Sequence, residues 1–185
     1  FSQEITEDHN ENSYSLTVTT TVADGYTQTS NLVTINKAGT YSLSGQMTNG
    51  MIVIDAPETA EISLELNGVK ISCDFNSPIF AKSADKIKIK AQKGTKNEIN
   101  DARPLKTAEN DLDETLGNGA IYAKCDLNIS GKGYLKVIST YNNGIHSTKD
   151  LSLRMKNDTS SSILSSLDVT AVNNAVKGND SVEIL

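Results

Sequence analysis

The stretch Asn118–Leu153, NGAIYAKCDLNISGKGYLKVISTYNNGIHSTKDLSL, contains one complete sequence repeat and the start of the next. An Asn-Gly corner followed by the apolar Ile121 returns 24 residues later, before Ile145. Two segments of alternating apolar residues, 127–129 and 135–137, lie between the corners on either side of a glycine-containing turn. Self-similarity at a period of about 20 to 50 residues is typical of a stacked solenoid.

The apolar corner residue recurs along the chain. Its positions are Ile52, Ile79, Ile121, Ile145 and Val176, at spacings of 27, 42, 24 and 31 residues. Once irregular insertions are removed, each repeat needs roughly two dozen residues, which is enough for three short strands. Their inward side chains would stack about 4.8 Å apart along the axis. The pattern therefore predicts an all-β parallel β-helix of about five to six coils, rather than an antiparallel sandwich.

The 185 residues are predicted to form a single β-helix domain. Residues 1–12 are polar and acidic and are expected to be frayed. Residues 13–22 alternate between apolar and polar side chains, and we expect them to supply an N-terminal capping strand that covers the first coil. Two stretches without periodicity, 101–117 and 155–166, are interpreted as loop insertions. The acidic residues of the first loop are Asp111, Asp113 and Glu114.

Composition excludes some classes of function. The formal net charge is −6, which argues against nucleic acid as a partner because phosphate binding needs a basic face. No apolar run approaches the roughly 18 residues of a membrane span. The chain begins with Phe1 rather than Met, which is expected of a processed protein or a module of a larger, multidomain protein.

Two cysteines, Cys73 and Cys125, leave two alternatives open. They could form one disulfide in a secreted protein, or they could pack as two small buried hydrophobic side chains. The second alternative is favoured because cysteines inside a β solenoid usually pack in this way.

Aspartates recur before the strand that follows each corner, at Asp126, Asp150 and Asp180 and earlier at Asp85. Stacked carboxylates would repel one another by a few kcal/mol at moderate effective dielectric, so water, lysine, backbone amides or a cation must compensate. Ca²⁺ prefers oxygen ligands, which aspartates, asparagines and turn carbonyls supply. Calcium is therefore a candidate cofactor. The alternatives are that each aspartate caps its own turn or that neighbouring lysines neutralise the stack.

Asparagines recur at the corners themselves, and Asn143 and Asn174 are the candidates that could add metal ligands. A structural role is the stronger interpretation, because stacked amides hydrogen-bond along a solenoid and Asn tolerates left-handed corners.

Candidate carbohydrate contacts come from lysines and tyrosines of the central repeats. Outward lysines could form a basic strip that binds sugar carboxylates, and a solvated face is the alternative. Tyrosines could stack on sugar rings, although the chain has no Trp, which disfavours a flat platform for crystalline cellulose. The selected residues are Lys132, Lys136, Tyr122, Tyr134 and Tyr141.

Catalysis has little support in the sequence. A polysaccharide lyase on such a fold needs a base, usually Arg or Lys, beside calcium. The two arginines, Arg103 and Arg154, lie in or beside the irregular insertions. His146 follows a corner and has no obvious nucleophile as a partner. No catalytic residue is assigned, and the chain is expected not to be an enzyme.

Several blocks together resemble a known family. They are INKAGTYSLSG (35–45), NGMIVIDA (49–56), ISLELNGVKIS (62–72), SADKIKI (83–89), GTKNEIND (94–101), NGAIYAKCDLNISGKGYLKV (118–137), NNGIHSTKDLSL (142–153) and NNAVKGNDSVEI (173–184). The chain resembles, over roughly residues 30–185, the carbohydrate-binding β-helix domain family first recognised in a clostridial cellulosome-associated surface protein. It departs from the family pattern at Ala102, where the family has Gly, and in the insertion 155–166.

The resemblance implies a right-handed parallel β-helix, similar in shape to pectate lyases, that binds calcium, cellulose and acidic plant sugars. We therefore expect a secreted or cell-surface, non-catalytic module for plant-cell-wall polysaccharide. One alternative is a protein–protein module of a cellulosome-type scaffold, similar to a cohesin, that binds a dockerin-type partner. The other alternative is a polysaccharide lyase.

Overall fold

The structure is a computed structural model that describes residues 14–108, 113 and 115–185. The described residues form seventeen β-strands. They are β1 Thr17–Thr19, β2 Tyr26–Gln28, β3 Leu32–Ile35, β4 Gly39–Met47, β5 Met51–Asp55, β6 Glu61–Cys73, β7 Ile79–Ser83, β8 Lys86–Ala91, β9 Lys96–Asp101, β10 Gly119–Ala123, β11 Asp126–Gly131, β12 Tyr134–Ser139, β13 Asn143–Ser147, β14 Asp150–Met155, β15 Ser166–Ala171, β16 Val176–Gly178 and β17 Ser181–Ile184. In the part of the chain that is described, no helix is long and apolar enough to cross a membrane.

The strands stack in three parallel ladders. The first ladder is β3, β5, β7, β10, β13 and β16. The second contains β8, β11, β14 and β17, and the third contains β9, β12 and β15. The long strand β6 belongs to both, because its first half pairs with β8 and its second half pairs with β9. The prediction of an all-β chain with parallel strands is confirmed.

Register within the first ladder follows the corner residue read from the sequence. Ile52 pairs with Ile79, Ile79 with Ile121, Ile121 with Ile145, and Ile145 with Val176. The spacings differ because chain length is added in the loops, while the strands keep a constant register. The repeat therefore identified the stacking of five strands residue by residue.

The core lies between the ladders and consists of aliphatic side chains from alternate strand positions. In β11, for example, Leu127 and Ile129 are buried while their neighbours are not. β-Branched and Leu side chains suit these pleated, enclosed positions, and burial of each one stabilises the fold by about 1.5–3 kcal/mol. Cys73 and Cys125 are free thiols and fully buried, so the prediction that they pack as hydrophobic side chains is confirmed.

The two ends of the stack differ. β1 pairs antiparallel with β4, and β2 pairs antiparallel with β3, so antiparallel strands cover the first edge, where the sequence predicted a capping strand. At the other end, the last strands expose apolar side chains such as Ile184, which is 74% exposed. The expected frayed segment 1–12 lies outside the described residues.

Both predicted insertions fall between strands. Residues 102–118 connect β9 to β10, and residues 156–165 connect β14 to β15. Asp113 accepts hydrogen bonds from the amide and hydroxyl of Thr115, while Asp111 and Glu114 lie outside the described residues.

Candidate functional site

The second ladder presents a polar outer face whose charges are unevenly distributed. Acidic residues lie where the strands begin, at Glu61, Asp126 and Asp150. Basic residues lie where they end, because Lys90 of β8 and Arg154 of β14 both align with Ser130 of the intervening β11. Lys90, Ser130 and Arg154 therefore occupy one row across three adjacent strands, whose side chains share a face of the sheet. This edge of the ladder concentrates positive charge.

The turn after these strands adds further cations. Lys132 donates its amide to Ala91 O (3.0 Å), and Lys156 donates its amide to Gly131 O (2.8 Å). These bonds stack the two residues on adjacent coils. Lys93, from the turn after β8, lies beside them. The concentration of charge thus follows from the register of three successive turns.

Together these residues line an open groove of ≈ 570 Å³, which we call the basic groove. Its basic side chains are Lys90, Lys93, Lys132, Arg154 and Lys156, and its other lining residues are Ala91, Gln92, Asn128, Ser130 and Gly131. Asn128, Ser130 and Lys90 are shared with a neighbouring hollow of ≈ 260 Å³ that continues across β8 toward β4. A ligand in the groove would meet both cations and neutral hydrogen-bonding groups.

The cations of the groove divide into two sets. Lys93 and Lys132 pair with Asp158 Oδ2 at 3.2 and 3.1 Å. The side chains of Lys90, Arg154 and Lys156 form no hydrogen bond or ion pair with any residue that the structure describes. All five basic side chains are exposed, so they can contact a ligand from solvent.

Of the five residues predicted to contact carbohydrate, the groove contains Lys132. Lys136 lies on the third ladder, 3.9 Å from Glu98, and Tyr134 on the same strand donates its hydroxyl to Asp168 (3.2 Å). Burial and this bond to Asp168 raise the pKa of Tyr134. Neither residue lines the groove, which is formed by the second ladder and the turns that follow its strands.

The other two tyrosines are on different surfaces. Tyr122 lies on the first ladder between Phe80 and His146, with ring centroids 5.2 and 5.1 Å away. Tyr141 is only 4% exposed, and the Arg103 guanidinium carbon is 3.7 Å from its ring centroid. The structure thus does not bring the three predicted tyrosines together, and Tyr141 has no face open to a sugar.

The predicted column of aspartates needs a correction. Asp126 and Asp150 stack on adjacent strands, but Asp150 pairs with Ser181, so Asp180 is one residue out of register. Asp85 is likewise out of register, because Lys86 is the residue that pairs with Asp126. Each of the turns before these strands has two residues. Asp85 and Asp180 are the second residue of their turns, whereas Asp126 and Asp150 are the first residue of a strand. Lys86 Nζ lies 3.8 Å from Asp126 Oδ2, and the Ser181 hydroxyl donates to Asp150 (2.7 Å).

The asparagines stack as amide columns. Asn143 donates to Asn118 O (2.9 Å), and Asn174 donates to Asn143 Oδ1 (2.9 Å). A second column runs from Asn173 through Asn142 to Asn118. Within residues 14–108, 113 and 115–185, no three His, Cys, Asp or Glu side chains lie close enough together to hold a metal ion. The candidate ligands Asn143 and Asn174 hydrogen-bond to each other, as members of an amide column.

Arg103, one of the two candidate bases, is held inside the fold. It donates from Nε and Nη2 to both carboxylate oxygens of Asp101, at 2.8 and 2.6 Å. Both side chains are almost fully buried, and Ser139 donates a further hydrogen bond to Asp101. A buried bidentate ion pair fixes both groups in place, so Arg103 is not available to a sugar in solvent.

Sequence reasoning missed most of the groove. Lys93 and Lys156 were not selected, and Arg154 was considered only as a base. A signal was present, since a basic residue follows the second strand of each of three successive repeats at Lys93, Lys132 and Lys156. These residues are far apart in sequence, and only the register of the turns brings them together.

Comparison with known proteins adds three findings. A family model described as "Carbohydrate-binding domain-containing protein" matches residues 29–185. A protein of the same description from Acetivibrio thermocellus is 37% identical over 130 residues, which are 70% of this chain and 45% of that protein. The chain thus spans less than half of the length of this relative.

A solved structure described as the polysaccharide lyase-like protein from C. thermocellum, gadolinium derivative, has a similar fold. The TM-score is 0.64 at 23% identity, and the alignment covers 89% of this chain and 91% of that one. At this level of identity, the likeness concerns the fold alone.

Proposed function

The chain belongs to the family of carbohydrate-binding domain-containing proteins, and from this premise we propose that it binds acidic plant-cell-wall polysaccharide in the basic groove. The observation that carries the proposal is the cluster of five exposed cations in a chain whose net charge is −6. Ammonium and guanidinium groups form charge-assisted hydrogen bonds with carboxylates. Asn128 and Ser130 also line the groove and can form hydrogen bonds with the hydroxyl groups of a sugar.

The arrangement of cations suits a polymer. Lys90 and Arg154 are on the same row two strands apart, which corresponds to about 9.6 Å at the usual strand spacing. A chain of uronic acids carries a carboxylate on every sugar and can meet both cations. Uncharged cellulose offers them no counter-charge, and the chain has no Trp to supply a flat stacking platform. We therefore favour pectin-type sugars over cellulose.

Titration calorimetry with polygalacturonate, a soluble neutral glucan and polyglutamate tests this proposal. The triple variant Lys90→Gln/Arg154→Gln/Lys156→Gln removes the three unpaired cations. The matched control, Lys70→Gln/Lys96→Gln/Lys136→Gln, makes the same charge change on the third ladder. We expect the groove variant to lose at least about tenfold in affinity for polygalacturonate and the control to lose little.

Three outcomes would reject the proposal. They are equal binding by the groove variant and the wild type, loss of binding confined to the control variant, and equal affinity for polyglutamate, which would mean that no sugar is recognised. Retention on cellulose with no binding of polygalacturonate would favour the neutral ligand instead. Added salt should weaken the interaction, because exposed charges are screened within about 8–10 Å at 0.10–0.15 M.

Calcium dependence is a separate hypothesis that rests on the family resemblance. The position in the described structure that offers stacked carboxylates is Asp126 with Asp150, and a cation there would displace Lys86 from Asp126. Melting temperatures in Ca²⁺ and in chelator test it. A rise with Ca²⁺ that disappears in the variant Asp126→Asn/Asp150→Asn supports binding at this position, and identical melting curves reject it.

The proposed binding is non-catalytic. Arg103, one of the two candidate bases, is buried against Asp101 and cannot reach a sugar, whereas Arg154 is exposed in the basic groove, so an assay must test the assignment. Ultraviolet absorbance follows the unsaturated product of a lyase. We expect no increase during incubation with polygalacturonate with or without Ca²⁺, and a steady increase would overturn the assignment.

The ladders are proposed to wind as a right-handed parallel β-helix of about five to six coils, since parallel crossovers are right-handed in about 98% of cases. An experimental crystal structure tests this hand.

We also propose a secreted or cell-surface location within a multidomain protein, as the family resemblance implies. Cell fractionation with an antibody to this domain tests the location. Submicromolar capture of a dockerin-type module without any sugar retention would favour the protein-binding alternative.

A further inference from the structure

The loop 156–165 brings an acidic side chain against two lysines of the basic groove. Asp158 Oδ2 lies between Lys93 Nζ at 3.2 Å and Lys132 Nζ at 3.1 Å. Its other oxygen, Oδ1, accepts hydrogen bonds from the amide of Ser160 at 3.0 Å and from its hydroxyl at 2.6 Å. The side chain is only 13% exposed. The carboxylate therefore lies against two of the lysines that line the groove and accepts bonds at both of its oxygens.

The hydrogen bonds from Ser160 and from the two lysines hold the pKa of Asp158 well below its usual range. The carboxylate is therefore ionised at neutral pH. It supplies the groove with the same chemical group that a uronic acid would bring.

The loop has few other polar attachments to the fold. Lys156 N donates to Gly131 O, and Ser165 Oγ donates to Gly131 O (3.2 Å), so both ends are fixed beside the same turn. Between these ends, every hydrogen bond and ion pair that links the loop to other described residues involves Asp158 or Ser160. Release of Asp158 from the two lysines, together with loss of the hydrogen bond from Lys93 to the Ser160 hydroxyl, would therefore detach the middle of the loop.

We propose that Asp158 is an internal competitor, which occupies a carboxylate subsite formed by Lys93 and Lys132 until an acidic group of the ligand displaces it. The inference rests on the proposed function and names a residue that sets its specificity. An anionic sugar exchanges one carboxylate for another, so both lysines keep a partner. A neutral sugar cannot make this exchange, because it would leave two ammonium groups without their counter-ion.

Asp158 closes the subsite in part of the wild-type molecules. The apparent affinity for an acidic ligand is then the intrinsic affinity multiplied by the fraction of molecules in which the subsite is open. Asp158→Asn removes the charge but keeps an oxygen that can accept from Ser160, so the local turn is retained. Because the competing carboxylate and its two ion pairs with exposed lysines are lost, we expect affinity for an acidic oligosaccharide to rise about three- to tenfold. Affinity for a neutral oligosaccharide should not change.

Calorimetry with an oligogalacturonate of defined length tests the inference against a matched control. Glu65 aligns with Lys90 on the adjacent strand, so Glu65→Gln makes the same charge change beside the groove without touching Lys93 or Lys132. The gain from Asp158→Asn should exceed that from Glu65→Gln. It should also disappear in the background Lys93→Met/Lys132→Met, where no subsite remains.

Hydrogen exchange gives an independent measurement on the wild type. If Asp158 is displaced, the middle of the loop loses its contacts with Lys93 and Lys132, and exchange of the amides of residues 158–163 should become faster in the presence of oligogalacturonate. Slower exchange would mean that the loop closes over the ligand, and this would overturn the inference.

The other outcomes separate the two proposals. Wild-type binding with no gain in Asp158→Asn, or a gain that persists without the two lysines, overturns the inference and leaves the proposed function intact. Binding by Asp158→Asn alone supports the inference in its strongest form. Binding by neither protein overturns both.

Discussion

The guanidinium carbon of Arg103 lies 3.7 Å from the centroid of the Tyr141 ring. Both side chains are buried, and the same guanidinium forms a bidentate pair with Asp101. The segment after β9 is fixed in this way, since Thr140 donates to Arg103 O (2.8 Å). Arg103 and Tyr141 were both candidates to act on or bind a sugar, but in the structure they stabilise the fold.

Replacing Arg103 with Met should destabilise the protein by about 3–5 kcal/mol, because it leaves the buried Asp101 carboxylate without its partner. The free energy of unfolding in urea measures the loss. Arg154→Met is the matched control, since Arg154 is exposed in the basic groove and should change stability by no more than about 0.5 kcal/mol. Equal stability of the two variants would contradict the structural role of Arg103.

His146 predicts a dependence of stability on pH. Burial lowers the pKa of this imidazole, the hydrogen bond to Asn179 opposes the shift, and Lys177 adds to it. Because the folded pKa lies below the unfolded value of about 6.5, the unfolded state binds more protons between these two values. Stability should therefore fall as pH decreases through 6.5, by at most about 1.4 kcal/mol per pH unit for one proton.

The variant His146→Gln isolates this effect. Its free energy of unfolding should depend less on pH between 7.5 and about 5, while carboxylates that titrate at lower pH affect both proteins alike. Urea titrations across this range provide the comparison. If both proteins lose stability equally between these pH values, His146 is not the group responsible.

The two thiols should be unreactive in the folded protein. Burial raises the pKa of Cys125 to about 11, and burial also raises the pKa of Cys73. At pH 8 the reactive thiolate of Cys125 is then only about one part in a thousand. Ellman's reagent should label neither thiol rapidly before denaturation and two thiols per chain afterwards. A release of no thiol without reductant would reveal a disulfide.

Gly131 is required where β11 turns beneath the basic groove. Its φ is +142°, and a Cβ there would be 2.2 Å from Ala91 O and 2.7 Å from Ala91 N. Since both atoms belong to the backbone of the adjacent coil, Gly131→Ala should cost more than the strain of about 1–2 kcal/mol expected of the φ alone.

Gly68→Ala is the control for this prediction. Gly68 has a φ of +80° but no atom within 4 Å of a Cβ, so it reports backbone strain without the collision. Urea denaturation compares the two variants. An equal loss of stability in the two variants would show that the close approach of Gly131 to Ala91 is not important. In that case the folded fraction of Gly131→Ala would bind oligogalacturonate as the wild type does.

The repeat in the sequence carried more information than any single motif. Alternation at Leu127 and Ile129 predicted which side chains face the core, and the recurring Ile121 and Ile145 predicted how the strands stack. These features are local or strictly periodic, so they can be read without the fold. Asp85 and Asp180 did not follow the register of Asp126 and Asp150, because each is the last residue of a turn, and a Lys or a Ser takes the aligned position in the strand that follows.

The sequence by itself thus determined the class of fold, the core and the stacking of the corner residues, because alternation and period fix which side of each strand is apolar. Tertiary structure alone decided the site. Lys132 and Lys136 are four residues apart, but the first lines the groove and the second lies on the third ladder, whereas Lys93 and Asp158 are 65 residues apart and form an ion pair. A solenoid places residues of successive turns side by side, so the lengths of those turns decide which charges meet.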